Sequence, residues 1–169
     1  RLDRPTGGVM VFAKTSKAAA RLSEQLKNKG FSKRYYAVLC GVPSKKKGLL
    51  ENYLRKNSVN NCVYVCTPAE EGAKLASLEY EITDSRDGLA LADINLLTGR
   101  THQIRVQFSA LNCPVYGDMR YGGEKAVKCK LALWAYSLSF THPVTGDKLR
   151  FMAEPPEGSP WDKFAVKLK

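Results

Sequence analysis

The sequence predicts an α+β fold: one domain over residues 1–169, with a mixed, mainly antiparallel sheet flanked by two principal helices. Three observations predict it. Short runs rich in Val, Tyr, Leu and Ile recur between turn signals at strand length. Only two stretches, after residues 15 and 100, carry helical spacing. The 169 residues are 44% hydrophobic, enough to bury one core, and neither an internal repeat nor a long linker divides them.

Taken in order, residues 8–14 are an apolar run and are expected as a buried strand. Ser16 offers an N-cap, and Ala19, Leu22 and Leu26 recur at helical spacing up to Gly30, a C-terminal stop. A strand rich in Tyr and Val follows over 34–40 and is closed by Gly41-Val42-Pro43. Residues 44–48 read as a basic loop able to touch phosphates. Shorter strands are expected over 62–66, 77–83 and 89–97, separated by the turn signals Thr67-Pro68 and Asp87-Gly88. From Thr101, a capping residue, the pattern turns helical, with Ile104, Phe108 and Leu111 along one face and Asn112-Cys113-Pro114 as the stop. A strand over 131–140 turns through 142–147 into 148–153 as a hairpin, and the prolines at 155 and 156 mark the end of the compact fold.

The 27 Lys and Arg against 16 Asp and Glu give a net charge of +11, which attracts polyanions, and nucleic acid is the commonest of these. No apolar run approaches the roughly 20 residues that cross a bilayer, and no long basic amphipathic helix serves an anionic surface, so no membrane partner is expected. The five cysteines are scattered and odd in number, and the two histidines complete no zinc spacing. They read as reduced thiols of a cytoplasmic protein, with no metal site.

Three strings carry candidate chemistry. Arg1-Leu2-Asp3-Arg4-Pro5-Thr6-Gly7-Gly8 holds an aspartate between two arginines, directly before a turn. Cations keep a carboxylate ionised and positioned, as a nucleophile requires, although the string alone suits an ordinary surface turn. Gly99-Arg100-Thr101-His102-Gln103-Ile104-Arg105 puts His102 and Arg105 three apart at a helix start, where N–H groups and arginines suit a carboxylate or phosphate. A capped amphipathic helix with solvated polar residues explains that string equally well. In Lys33-Arg34-Tyr35-Tyr36-Ala37 the tyrosines face opposite ways along a strand, so one can line a cleft and stack on a base; both can equally be routine strand aromatics.

Together these strings resemble the RluA-type RNA pseudouridine synthases, with their Arg-Leu-Asp motif, Lys-x-Tyr-x-Ala strand and Gly-Arg-x-His-Gln-hydrophobic-Arg helix in this order. Pro114-Val115-Tyr116-Gly117-Asp118 and Phe140-Thr141-His142-Pro143-Val144-Thr145-Gly146 add to the likeness, which runs from Arg1 to about Pro156. It implies the pseudouridine synthase fold and an isomerase acting on uridines of ribosomal or transfer RNA, as a monomer and without a cofactor. Asp3 matches the nucleophile, Tyr35 the tyrosine against the target base, and Arg105 the arginine paired with the aspartate. Arg1 matches the arginine that displaces the base from its stack. Arg4, Arg100, His102 and Gln103 are expected to contact substrate, with Leu133 as the apolar wall under the base. The chain departs from the pattern at Trp134 and Gln107, where a histidine is usual. The family also has sheet residues, and often an S4-type RNA-binding domain, ahead of Arg-Leu-Asp, so the chain is expected to be a catalytic domain without its N-terminal part. The competing readings are a non-catalytic RNA-binding module and a hydrolytic or phosphate-handling enzyme using Asp3 and His102. No phosphate loop, carboxylate pair or Ser-His-Asp set supports the hydrolytic reading.

Overall fold

A computed structural model describes residues 2–166 and 168. Its strands are β1 (Gly7–Gly8), β2 (Ser32–Cys40), β3 (Lys47–Lys56), β4 (Val63–Cys66), β5 (Lys74–Arg86), β6 (Leu89–Leu96), β7 (Leu133–Thr141) and β8 (Lys148–Met152). Two α-helices join them, α1 (Ser16–Lys27) and α2 (Gln103–Ala110). The sheet order is β1-β7-β2-β6-β5-β3-β4, with β8 also on β7. Every pairing is antiparallel except β1 on β7, so the sheet is mixed and mainly antiparallel, as the sequence predicts.

Strand alternation divides the core between the two faces of the sheet. Tyr35, Ala37 and Leu39 join Leu78, Tyr80, Ile94, Ile104 and Phe108 on one side. Tyr36 and Val38 join Leu91, Tyr136, Trp161 and Phe164 on the other, where Tyr36 stacks on Tyr136 with ring centroids 4.1 Å apart. Both tyrosines of the Tyr35-Tyr36 pair are therefore buried, on opposite faces. Asp93, fully buried, keeps its charge matched by Arg34 at 2.7 Å and accepts the Tyr136 hydroxyl at 3.0 Å.

Four local expectations are corrected. The strand expected over 8–14 is only Gly7–Gly8, and Met10, Val11 and Phe12 are exposed, Phe12 at 80%. The cause lies in β7: β2 holds one of its edges, and on the other β1 pairs with Trp134 and Ala135 while β8 takes over from Ser137. After the Val9 N–H reaches the Ala135 carbonyl, no ladder position remains for residues 10–14. The first helix is capped by Thr15 rather than Ser16, ends at Lys27, and buries none of its residues; Gln25 instead exchanges two hydrogen bonds with the Thr141 backbone. Residues 44–48 are not wholly a loop, because β3 starts at Lys47 and pairs along β5. α2 is not an amphipathic surface helix: residues 103–108 are all buried, and Leu111 is exposed.

Candidate active site

The Asp3 loop is held by its turn. The Thr6 N–H donates to the Asp3 carbonyl at 2.9 Å, closing the bend that Pro5 pre-sets. Gly7 lies flat against the Trp134 ring, where a Cβ would come within 2.2 Å of Cζ3. Gly8 adopts φ +116°, and a Cβ there would lie 2.2 Å from the Ala135 carbonyl oxygen. Only glycine permits this close seating of β1 on β7, and the seating fixes where the aspartate emerges.

Asp3 emerges at the start of α2. Its Oδ2 pairs with a terminal nitrogen of Arg105, its Oδ1 accepts the Arg4 N–H at 2.8 Å, and His102 Nε2 lies 3.4 Å from Oδ1. Thr101 does not cap the helix. The N-cap is His102, in the left-handed region at φ 51°, and it makes no side-chain cap bond. Gln103 ties down the entry instead: its Oε1 accepts the Thr98 hydroxyl at 2.7 Å and the Arg100 N–H at 3.0 Å. Its Nε2 donates to the Ser77 carbonyl at 3.1 Å.

Behind Arg105 stands a residue to which the sequence reading gives no role. Asp118 is fully buried and grips the guanidinium with both oxygens, Nε to Oδ2 and a terminal nitrogen to Oδ1, each at 2.7 Å. Its Oδ1 also accepts the N–H groups of Arg120 at 2.9 Å and Tyr121 at 3.0 Å. Burial alone raises a carboxyl's pKa, but here the guanidinium and the two amides outweigh it and hold Asp118 below the ordinary carboxylate value. Burial likewise works against the Arg105 charge, and the two aspartates more than restore it. One guanidinium thus serves two carboxylates, in the bidentate geometry that only arginine offers. The Tyr121 ring stands 5.0 Å from the guanidinium carbon, and its hydroxyl lies 2.7 Å from His102 Nδ1. Burial lowers the His102 pKa, with the Asp3 charge opposing, so the imidazole is neutral at physiological pH.

A cavity of about 960 Å³ opens above this cluster. Asp3, Arg4, His102, Arg105 and Leu133 line it, which brings five of the expected site residues together. Lys56, Arg120 and Lys130 add cationic walls, and Trp134 and Trp161 aromatic ones. Gln103 and Arg100 do not line it: the Gln103 amide is engaged within the chain, and Arg100 donates to the Leu75 carbonyl at 2.9 Å. Tyr35 does not line it either. Its ring belongs to the core cluster that includes Leu2, Ile104 and Leu133, and burial pushes its hydroxyl up to about 12. Arg1 lies outside the described residues.

Comparison with known proteins gives a consistent picture. A family model described as RNA pseudouridylate synthase matches residues 1–110. The uncharacterized RNA pseudouridine synthase YjbO of Bacillus subtilis is 36% identical over 157 residues, covering 93% of this chain and 54% of that protein. An uncharacterized RNA pseudouridine synthase of Helicobacter pylori is 37% identical over 158 residues, covering 89% of this chain and 48% of its own length. Among solved structures, human RNA pseudouridylate synthase domain containing 4 superposes with a TM-score of 0.76 at 25% identity, covering 92% of this chain and 70% of that one. The chain spans about half the length of the curated relatives it matches.

Proposed function

The chain belongs to the RNA pseudouridylate synthase family, and from that premise we propose that it isomerises uridines in RNA to pseudouridine, in the RluA manner, with Asp3 as nucleophile. The observation that carries this reading is the Asp3 carboxylate at the cavity, held through Oδ2 by Arg105 and 21% exposed. A nucleophile needs a fixed direction and an open face, and this carboxylate has both.

The isomerisation breaks the N1–C1′ bond, turns the uracil and joins C5 to C1′. The proton leaves C5 and one returns to N1, so the reaction balances without an oxidant or reductant. Asp3 supplies the anion that attacks C1′, assists loss of the C2′ proton, or adds to C6. Arg105 keeps it aimed, and its own charge is anchored by Asp118 whatever happens at Asp3. Leu133 and Trp134 offer the apolar wall against which an extruded base rests, repaying part of the few kcal/mol its unstacking costs. Tyr35, which the resemblance sets against the target base, shares the core cluster of Leu133 behind that wall. With its hydroxyl pushed up to about 12 it keeps its proton and supports the base rather than taking the C5 proton. Arg4, Lys56, Arg120 and Lys130 are placed to meet phosphates. Ribosomal or transfer RNA is the substrate this reading favours, and the cytoplasm its setting.

The test incubates wild type and Asp3→Asn with ribosomal and transfer RNA transcripts and maps pseudouridine by carbodiimide treatment and reverse transcription. A site formed by wild type and absent with Asp3→Asn is expected. Equal modification by both refutes the role of Asp3, and RNA binding without any modification by wild type would make the chain a non-catalytic binder.

A further inference from the structure

The Tyr121 hydroxyl is the turning point of a short hydrogen-bonded chain that the reaction scheme leaves unused. It accepts the Val63 N–H of β4 at 2.9 Å and lies 2.7 Å from His102 Nδ1. A phenol has one proton to give. With the Val63 N–H already pointing at its oxygen, no acceptor for that proton other than His102 Nδ1 is found among the described residues. Burial raises the Tyr121 pKa, so the proton is present at neutral pH. The opposite assignment, Nδ1–H donating to Tyr121, would leave the phenol proton of this part-buried side chain without a partner among the described residues, which costs free energy. Bare Nδ1 places the imidazole proton on Nε2, and Nε2 faces Asp3 Oδ1.

We propose that Tyr121 is a positioning residue which, anchored by the Val63 amide, fixes His102 as the neutral Nε2–H tautomer and so aims a donor at the Asp3 carboxylate. A neutral donor steadies Oδ1 without adding a second full positive charge beside Arg105, which would blunt the nucleophile. The 3.4 Å separation from Nε2 to Oδ1 is long for a hydrogen bond and is of the kind that tightens when substrate closes the site. The route also ties Asp3 to the β3–β4 hairpin, whose own Lys56 and Asn61 line the cavity. Tyr121 itself does not line the cavity, so its effect passes through His102.

This inference rests on the reading of Asp3 as nucleophile, and its test is chosen to be judged separately. The chain has two histidines, so imidazole nitrogens are readily resolved by long-range ¹H–¹⁵N correlation, with His142→Asn giving the assignment. Wild-type His102 is expected as the Nε2–H tautomer at neutral pH. Tyr121→Phe keeps the ring over Arg105 and removes only the hydroxyl. It is expected to move His102 to a mixture of tautomers, and to lower kcat about tenfold with KM little changed, as loss of an outer partner of a working histidine does. An Nδ1–H tautomer in wild type overturns the proposal even if the variant does not fold. So does an unmoved tautomer, or an unchanged kcat, in Tyr121→Phe. Failure of wild type to modify any RNA counts instead against the function, because the imidazole spectrum does not depend on turnover.

Discussion

Replacing Asp118 by asparagine tests whether the site is held from behind. The side chain keeps its shape, and its remaining oxygen can stay at Oδ1, where it accepts Arg105, Arg120 and Tyr121. The loss falls at Oδ2, where an amide NH₂ would confront the Arg105 Nε–H now donating at 2.7 Å. One charge-assisted hydrogen bond is worth about 1.5–3 kcal/mol, and breaking a buried ion pair costs about 3–5 kcal/mol. Arg105 retains Asp3 as a partner, which sets the expected loss near the lower end, about 3 kcal/mol. In a domain of this length that corresponds to a fall in Tm of about 6–12 °C. The sign with pH follows from the direction of the Asp118 shift. Its native pKa is depressed, so its contribution is present above the ordinary carboxylate pKa and is lost as pH falls through the lower native value. The difference between wild type and Asp118→Asn should therefore be full at neutral pH and shrink in acid. Denaturant titrations of both proteins across that range measure it. A variant as stable as wild type at neutral pH would refute the idea that Asp118 carries the Arg105 charge.

Other expectations follow from single contacts. Gly8→Ala should cost about 2 kcal/mol or more, because φ +116° and the Ala135 carbonyl leave no room for a Cβ; a Tm equal to wild type would show that β1 can shift freely. Burial lowers the native pKa of His102, so the unfolded chain takes up its proton first as pH falls through the ordinary histidine range, and native stability should decline there. His102→Gln should flatten that decline, and an identical pH profile would contradict it. Lys130→Ala should weaken RNA binding uniformly across sequences and reduce the salt slope by about 0.7–0.9, as loss of one phosphate contact does; an unchanged slope would remove Lys130 from the RNA path.

The parts of this structure legible in the sequence are those written by local chemistry. The strands over 34–40 and 89–97, the final hairpin and the helical turn after 101 all follow from residue type and period, and each is present to within a few residues. What periodicity cannot show is which neighbour occupies an edge. The run Met10-Val11-Phe12 reads as a buried strand, yet β8 holds the stretch of β7 it would need. β3 carries its apolar and polar residues in pairs, Leu49-Leu50, Glu51-Asn52, Tyr53-Leu54 and Arg55-Lys56, which is no strand period, and its partner β5 lies beyond β4 in the chain. The N-terminus of α2 misleads as well: the helix starts after a left-handed His102, one residue beyond Thr101, and Gln103 ties the preceding turn by accepting the Arg100 N–H.

The site divides the same way. Asp3, His102 and Arg105 are visible as motif residues, and the fold brings them together across 102 positions of chain. Asp118 is visible only as the end of the Pro114-Val115-Tyr116-Gly117-Asp118 string, and nothing in that string announces a buried charge gripping Arg105. Its position there decides how the cluster can work. Two carboxylates share one guanidinium, and by chemistry alone either could be the reactive one. Asp118 is wholly buried and its oxygens take four hydrogen bonds, so no substrate atom can approach it. Asp3 sits at the cavity with part of its surface open and, among the described residues, one backbone N–H on Oδ1. The division between an anchoring and an available carboxylate is thus a property of burial, set by where α2 and the Asp118 turn meet.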